Sequence, residues 1–411
     1  METNQKLPAV RPLEVAPFHN ERDEMYFALH DLTQVAPRPI AVSFPGYFVL
    51  THLDGEHTCG EVQAAFLKQF GQMISADQIE QMLTSLDRAL MLDNEGFEQA
   101  YARQRREYRA ARTRDNRHRY PPGPELSAAI EKMLEQGSPA EVTNLRGIIA
   151  PHLDYRRGGR CYADAYATLA QAPPAERYVI LGTNHFGRSS SVVATTKDFE
   201  TPLGRATTDR EFITQLELML GQSLCEHQFD HKVEHSVELQ VHILQVCQAG
   251  HPFEIVPVLC PDPSGPTGTL PHDGRGPDLG DFADALAQLL TDERRTILIA
   301  GADLSHVGQR FGDEQPTTPE FLQRVERDDR QLLDLLESRL EEAFVEELRM
   351  SENPLRICSA GCIYALLRAL PEQPCRILRY EQAVDMASET HVTCAAAVVG
   401  EQPAATQANQ P

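Results

Sequence analysis

Apolar runs rich in β-branched residues alternate with helical patterns from residue 147 to residue 399 of this 411-residue chain. The runs lie at 147–150, 178–181, 255–259, 296–300 and 394–399, and the helical patterns at 162–170, 209–220, 235–248, 281–290 and 318–346. Such alternation predicts an α/β fold, a central sheet with helices packed on its faces. The stretch 261–280, rich in Pro, Gly and Asp, is expected to be a loop.

Three histidine segments occupy matching places in this alternation. His152 and His185 each follow an apolar run, and His235 begins a helical pattern. In an open α/β sheet, side chains just past the carboxyl ends of strands converge on a crevice where ligands bind. Two imidazoles there, with a third on a later helix, predict a pocket for a metal ion or for acid–base chemistry. The alternative is that the three are unrelated surface or capping histidines. Their corresponding places in the strand–helix alternation disfavour it.

Further polar residues extend the candidate pocket. Asn184 and Glu234 each stand directly before one of these histidines, and Asp303 and His306 follow the run 296–300. Glu234 also lies at a predicted helix start, where exposed backbone N–H groups attract negative charge. We therefore expect these four side chains to line the same crevice.

Cys358 is the cysteine with a predicted chemical role. It opens a predicted helix, where the pKa of a thiol is lowered and its thiolate becomes a better metal ligand or nucleophile. Core packing is expected instead for Cys161, Cys247, Cys260 and Cys394.

Residues 1–100 carry a hydrophobic pattern that is complete in itself. Residues 41–50 are predicted to form a short strand pair around a Pro-Gly turn. Thr58 and Glu61 form a predicted capping box at the start of one helix, and Ser75 is the predicted cap of the next. We expect a small helical domain with a minor strand element.

This leading segment resembles PqqD-like and winged-helix modules over about residues 25–98. The Asp54-Gly55 turn, the helix capped by Thr58 and the leucine-rich stretch Leu83–Leu92 carry the resemblance. It implies the capture of peptides for partner enzymes, often radical-SAM enzymes. A docking or dimerising helical cap is the alternative.

An arginine-rich connector, 101–116, is predicted between the two domains. The low apolar content and the net charge of −22 favour a solvated connecting helix, ended by Pro121-Pro122, over a polyanion site. A polar tail, 401–411, is expected to be disordered. The arginines in and beside the connector are Arg103, Arg105, Arg106, Arg109, Arg112, Arg114, Arg117 and Arg119.

Composition limits the partners and the location. The net charge of −22 argues against a nucleic-acid partner, because phosphates would be repelled. No apolar run approaches the roughly 20 residues that cross a bilayer, which excludes a membrane-spanning class. Nine scattered cysteines without an export signal indicate reduced thiols and predict a cytoplasmic protein. The oligomeric state stays open.

From about residue 117 to residue 400 the sequence resembles the Memo family, also called AmmeMemoRadiSam system protein B. The matches run in order along the chain and together are highly specific. They are Arg119-Tyr120-Pro121, Ala150-Pro151-His152, Ile180–His185, Glu200–Gly204, His231, Glu234–Gln240, Asp303–Gly308, Cys358 and Leu378–Tyr380.

The resemblance implies a fold similar to class III extradiol dioxygenases, whose iron(II) site lies at one end of a sheet. It implies that His152, His185 and Cys358 hold a metal ion and that His235 occupies the place of an acid–base catalyst. His231 is implied to be a pocket residue. The family has no securely established reaction, and both redox roles and non-catalytic peptide binding have been proposed for it.

Two departures from the family pattern affect the pocket but remove no candidate ligand. Asp154 brings an extra carboxylate close in sequence to His152, and Val307 stands where an aromatic residue is usual. Two imidazoles and a thiolate favour iron(II), copper or zinc over magnesium or calcium, and we expect one ion, with iron(II) first.

Three functions are therefore compatible with the sequence. The leading hypothesis is an iron- or copper-dependent, dioxygenase-like oxidoreductase that acts with a radical-SAM partner on a peptide or small metabolite. The others are a metallohydrolase or lyase with His235 as general base, and a non-catalytic binding protein that uses the same pocket.

Overall fold

The computed structural model describes residues 5–36, 38–291 and 294–401. The chain divides into two compact units, Met1–Ala110 and Ala111–Pro411. The predicted tail lies outside the described residues except for Glu401, which ends a strand. Among the described helices, none combines the length and apolar character that a bilayer span requires.

The first unit pairs a small sheet with helices. Thr58 and Ser75 begin helices α2 and α3 in complete capping boxes, as their sequence patterns predict. Buried side chains of these two helices, among them Val62 and Ile79, contribute to one hydrophobic core. The elements of the unit are β1 (Glu14–His19), β2 (Met25–His30), β3 (Ile40–Ser43), α1 (Phe44–Leu50), α2 (Cys59–Phe70), α3 (Ala76–Arg88) and α4 (Glu95–Ala110), with the strands antiparallel in the order β1-β2-β3.

The predicted strand pair at 41–50 is wrong. Only β3 is a strand, and α1 follows it directly. The Ser43 hydroxyl accepts a hydrogen bond from the Gly46 amide at 3.3 Å, and Pro45 lies in the first turn, where a helix needs no N–H. The Pro-Gly pair that suggests a turn is therefore part of a helix start.

The predicted connecting helix is also shorter than expected. Helix α4 ends at Ala110 rather than near Pro121, and a short strand, β4 (Thr113–Asp115), follows. Within β4 the Arg114 side chain is 1% exposed, and its Nη1 lies 2.7 Å from a carboxylate oxygen of Glu238. This part of the arginine-rich stretch is buried structure, not a solvated linker.

The second unit is an α/β fold built on a large mixed sheet. The sheet order is β12-β14-β5-β11-β6-β10-β9-β8-β4, with β13 paired to β14 and β7 to β10. Its strands after β4 are β5 (Asn144–Ala150), β6 (Arg177–Thr183), β7 (Val193–Ala194), β8 (Asp198–Thr201), β9 (Gly204–Thr208), β10 (Glu254–Cys260), β11 (Thr296–Gly301), β12 (Asp303–Val307), β13 (Cys375–Asp385) and β14 (Thr390–Glu401).

Helices cover both faces of this sheet and form two apolar layers. One layer contains buried residues of α5, α6 and α8, and the other those of α7, α9, α10, α11 and α12. The single helix predicted at 318–346 is two helices, because the chain turns at Arg339, whose φ is 58°. The helices are α5 (Gly123–Leu134), α6 (Gly159–Gln171), α7 (Arg210–Leu220), α8 (Ser236–Cys247), α9 (Leu279–Leu289), α10 (Pro319–Glu337), α11 (Glu341–Met350) and α12 (Ala360–Ala369).

The central strands bring the candidate residues to one edge. Strands β5, β11, β6 and β10 lie side by side and run parallel. The chain leaves β5 toward His152, β11 toward Asp303 and β6 toward His185. Carboxyl ends of adjacent parallel strands share an edge, so these three side chains begin close together.

The position of Arg114 predicts where the second unit can be separated. We expect a chain truncated to begin at Ala111 to fold cooperatively. A chain beginning at Asp115 lacks Arg114 and leaves the Glu238 carboxylate buried without its cation, a loss of about 3–5 kcal/mol. Urea denaturation of the two truncated chains tests this expectation, and equal midpoints would contradict it.

Candidate metal centre

Two imidazoles and one thiol converge at the edge of the sheet. His152, His185 and Cys358 each offer a donor atom, and the three atoms lie within 4.8 Å of one another. The Cys358 Sγ is 3.5 Å from Nε2 of His152, and the two imidazole rings meet edge to face at 4.8 Å. Of the residues described, these form one of two groups with metal-binding spacing; the other is His185, Glu234 and His235.

The His152 ring is fixed by groups at the end of β11. Its Nδ1 donates to the Gly301 carbonyl at 2.9 Å, so Nε2 is the nitrogen that faces the centre. The Asp303 carboxylate accepts from the His152 amide at 3.0 Å and lies 3.4 Å from Nε2. Burial alone would lower the pKa of His152, but the Asp303 carboxylate and the Cys358 thiolate raise it to about 9.

The His185 ring is fixed by Glu234. Its Nδ1 lies 3.1 Å from both carboxylate oxygens, which leaves Nε2 for the centre. The same carboxylate accepts from the backbone amides of His185, His235 and Ser236 at 3.0, 2.8 and 2.9 Å. Burial opposes the charge on Glu234, yet His185 holds the pKa of this carboxyl well below its usual range. A carboxylate that orients an imidazole in this way also raises its basicity as a ligand.

Cys358 lies just before α12, which Ser359 precedes as the N-cap residue. Its Sγ is 3.3 Å from the Ser359 hydroxyl. Burial would raise the pKa of the Cys358 thiol, but His152 and His185 hold it well below its usual range. The thiolate is the form that binds metals.

His235 stands beside the group as a neutral base. Its ring stacks on His185 at 5.2 Å and lies 5.5 Å from His152. Burial lowers the pKa of His235 to about 4, helped by the charges of His185 and His152 and opposed by Glu234. At neutral pH this imidazole therefore has an unprotonated nitrogen.

Asn184 and Asp303 help to form the centre, but three other predicted pocket residues do not supply donors to it. The Asn184 amide donates to the Asp230 carboxylate at 3.1 Å and so shapes the loop that carries His185. His231 is buried with Nε2 donating to the Val193 carbonyl at 3.0 Å, and burial lowers its pKa to about 3. His306 donates to the Leu304 carbonyl. Asp154 is exposed and pairs with Arg157 at 2.5 Å, because a turn after the histidine directs its carboxylate outward.

Residues 118–399 match the family model for Memo-like proteins. This chain belongs to the Memo family. Among its relatives, a MEMO1 family protein of Aquifex aeolicus is 27% identical over 84% of this chain and 86% of its own length. One from Thermus thermophilus is 28% identical over 79% of this chain and 93% of its own length.

A eukaryotic relative and a solved structure give weaker matches. The memo-1 homologue of Caenorhabditis elegans is 26% identical over 60% of this chain and 66% of its own length. The crystal structure of an uncharacterized protein from Escherichia coli K12 aligns with 62% of this chain and 99% of its own, at 14% identity and a TM-score of 0.37.

Arg114 is a supporting residue of this Memo protein that its sequence pattern does not reveal. Its guanidinium donates to the carbonyls of His231 and Glu234, each at 2.5 Å, while it pairs with Glu238. It therefore holds the loop that presents Glu234 and His235. No sequence signal separates it from its arginine neighbours, since only its register on β4 turns it inward.

The donor set of the Memo centre fits a transition-metal ion. Both imidazoles have their other nitrogen occupied by a carbonyl or a carboxylate, which is the usual arrangement around metal-binding histidines. The set is moderately soft, and a metal ion held by these three side chains would keep coordination positions for water or substrate.

Proposed function

We propose that this Memo protein binds one transition-metal ion through His152, His185 and Cys358, and that it is an oxidoreductase acting on a small metabolite or peptide. The observation that carries the proposal is the convergence of three donor atoms within 4.8 Å, two of them on rings already fixed by protein partners. Such pre-orientation lowers the cost of ordering the ligands when the ion binds.

Iron(II) or copper is the ion that the proposal favours. Imidazole and thiolate ligands suit both, and an open position lets the ion exchange electrons with a bound molecule when it is present. Zinc binds the same donors and would support hydrolysis instead. The identity of the bound metal therefore distinguishes the oxidoreductase hypothesis from the metallohydrolase hypothesis.

In this proposal a substrate approaches the centre from the side of Cys358. A cavity of about 730 Å³ is lined by Cys358, by residues of the loop at 262–266 and by residues from the end of α11 to Ile357. This volume lies in the usual range for sites that bind small molecules. The proposal assigns His235, whose ring lies next to those of His152 and His185, to accept a proton from a molecule bound at the centre.

The first unit is proposed to recruit the partner. The PqqD-like pattern of its Asp-Gly turn and capped helices supports a radical-SAM enzyme or its peptide substrate as that partner. A pull-down with the full chain and with a chain beginning at Ala111 tests the role, since only the full chain should retain the partner.

Anaerobic purification followed by metal analysis tests the central proposal. We expect close to one iron or copper ion per chain, and loss of it in the His152→Ala variant. Stoichiometric zinc would favour the hydrolase. A chain that takes up none of the three metals would refute the proposal and leave the non-catalytic binding protein.

Replacing His235 should distinguish a role in catalysis from a role in metal binding. We expect His235→Ala to keep its metal content while turnover, once a substrate is known, falls by about 100-fold to 10,000-fold, the usual contribution of a general base. Metal content by plasma emission spectroscopy and single-turnover rates give the two readouts. His227→Ala, outside both metal-spaced groups, serves as the control. Loss of metal from His235→Ala would make this residue a ligand.

A further inference from the structure

A second cavity lies beside the segment that carries Cys358. It measures about 680 Å³ and is bounded by α10, by α11 and by the chain from Ser351 to Ile357. Asn353 and Ile357 line both this cavity and the one that reaches Cys358. The two cavities therefore share a wall one residue away from a proposed metal ligand.

The lining of the second cavity combines an apolar interior with acidic groups. Asp328 and Glu347 contribute carboxylates, and neither forms an ion pair with any residue that the structure describes. Asp313 already pairs with Arg356, and the Arg324 guanidinium lies over the Phe321 ring at 5.1 Å. Arg324 offsets one of the two unpaired carboxylates, and the net negative charge that is left favours a cation. The apolar interior is formed by Phe321, Leu332, Leu335, Leu348, Leu355 and Ile357.

The segment 352–357, which contains the shared wall, has an unusual backbone conformation. Glu352, Asn353 and Arg356 have φ values of 60°, 46° and 55°, in the left-handed region that residues other than glycine rarely adopt. The Asn353 side chain bonds both the amide and the carbonyl of Ile357, at 2.9 and 3.0 Å. The position of Cys358 therefore depends on contacts around Asn353 and Ile357.

We infer that the second cavity binds a compact apolar molecule bearing one cationic group, such as an aryl-alkyl amine, and that its occupancy tightens metal binding at Cys358. The apolar interior receives the body of the ligand, and Asp328 and Glu347 receive its ammonium group. A bound ligand packs against Ile357 and restrains the segment 352–357. Cys358 is thereby ordered before the metal arrives, which lowers the entropy cost of metal binding.

Tryptamine is a direct probe, because the chain contains no tryptophan and indole fluorescence comes from the probe alone. Titration of the metal-free full chain should give saturable binding at one site. Indole-3-propionate, which carries a carboxylate in place of the ammonium, should bind at least about tenfold more weakly. Equal binding of the two, or no saturable tryptamine binding, would overturn the ligand class.

Two kinds of substitution locate the site. Leu335→Phe fills the cavity and should weaken tryptamine binding about tenfold, whereas Leu218→Phe, at a side chain 75% exposed on α7, should not. Glu347→Gln and Asp328→Asn lie at the polar part of the lining and should each weaken tryptamine by about threefold, without changing the binding of neutral 3-ethylindole. Unchanged tryptamine affinity in Leu335→Phe and in both charge variants would overturn the location.

Cobalt(II) reports the coupling through the thiolate-to-cobalt absorption band. Saturating tryptamine should tighten cobalt binding at least about fivefold, and by reciprocity cobalt should tighten tryptamine binding by the same factor. Unchanged or weakened cobalt affinity would overturn the coupling. Absence of the band in every sample would refute Cys358 as a ligand and the coupling with it. The tryptamine titration needs no metal and decides the second cavity separately.

Discussion

The Cys358→Ala variant is expected to bind cobalt(II) or iron(II) at least about 100-fold more weakly than the unaltered chain, and to lose the thiolate charge-transfer band completely. The substitution removes one of the three proposed metal ligands, and it is the softest donor among them. Isothermal titration under anaerobic conditions measures the affinity, and absorbance identifies the sulfur ligand.

Controls separate the loss of a ligand from the loss of a fold. Cys225→Ala removes another half-buried cysteine, one outside the metal-spaced groups, and should leave both affinity and absorbance unchanged. Circular dichroism should show the same helix content in all three proteins. If Cys358→Ala retained the charge-transfer band, a different cysteine would have to be the ligand.

The second large effect concerns stability. We expect Arg114→Ala to lower the free energy of unfolding of the second unit by about 3–5 kcal/mol, because the Glu238 carboxylate stays buried without its cation. The two backbone carbonyls that the guanidinium binds also lose their donor. Urea denaturation of the full chain, with the second unit followed by hydrogen exchange, measures the change.

Matched variants test this explanation. Arg112→Ala removes an exposed arginine from the same stretch and should change stability by less than about 0.5 kcal/mol. Arg114→Met combined with Glu238→Gln removes both charges and should recover part of the loss. A destabilisation in Arg112→Ala as large as that in Arg114→Ala would contradict the proposed ion-pair effect.

The same pair predicts an acid dependence with a defined sign. Burial raises the pKa of Glu238, but Arg114 holds it below the usual carboxyl value. The contribution of the pair is therefore complete above the unfolded carboxyl pKa and is lost as the pH falls through the folded value. The stability difference between the unaltered chain and Arg114→Ala should shrink in that acidic range.

Buried parallel strands were the most predictable part of the fold. β5, β6, β10 and β11 read as continuous apolar runs because both of their faces are covered by helices. The sequence did not predict β13, because this strand is half-buried and carries charged residues. Its strand conformation depends on pairing with β14. A pairing of that kind is a tertiary property that a local pattern does not contain.

The location of a site residue was predictable where it depends only on the position of that residue along the backbone. His152 and His185 follow strands, so the edge they share could be inferred from the alternation and from the family resemblance. Asp154 illustrates the limit, because closeness in sequence did not bring its carboxylate to the centre. The support from Asp230 and Arg114 arises from distant segments whose orientation only the folded chain determines.

The place of β14 in the sheet has a consequence for synthesis. It is the last of the described strands to be made, yet it pairs with β5, β12 and β13. Until it arrives, β5, which leads to His152, has one unpaired edge, a liability that invites association with other chains. A ribosome that stopped before Thr390 would release a chain with every proposed metal ligand but without the strand that connects β12 and β13 to β5.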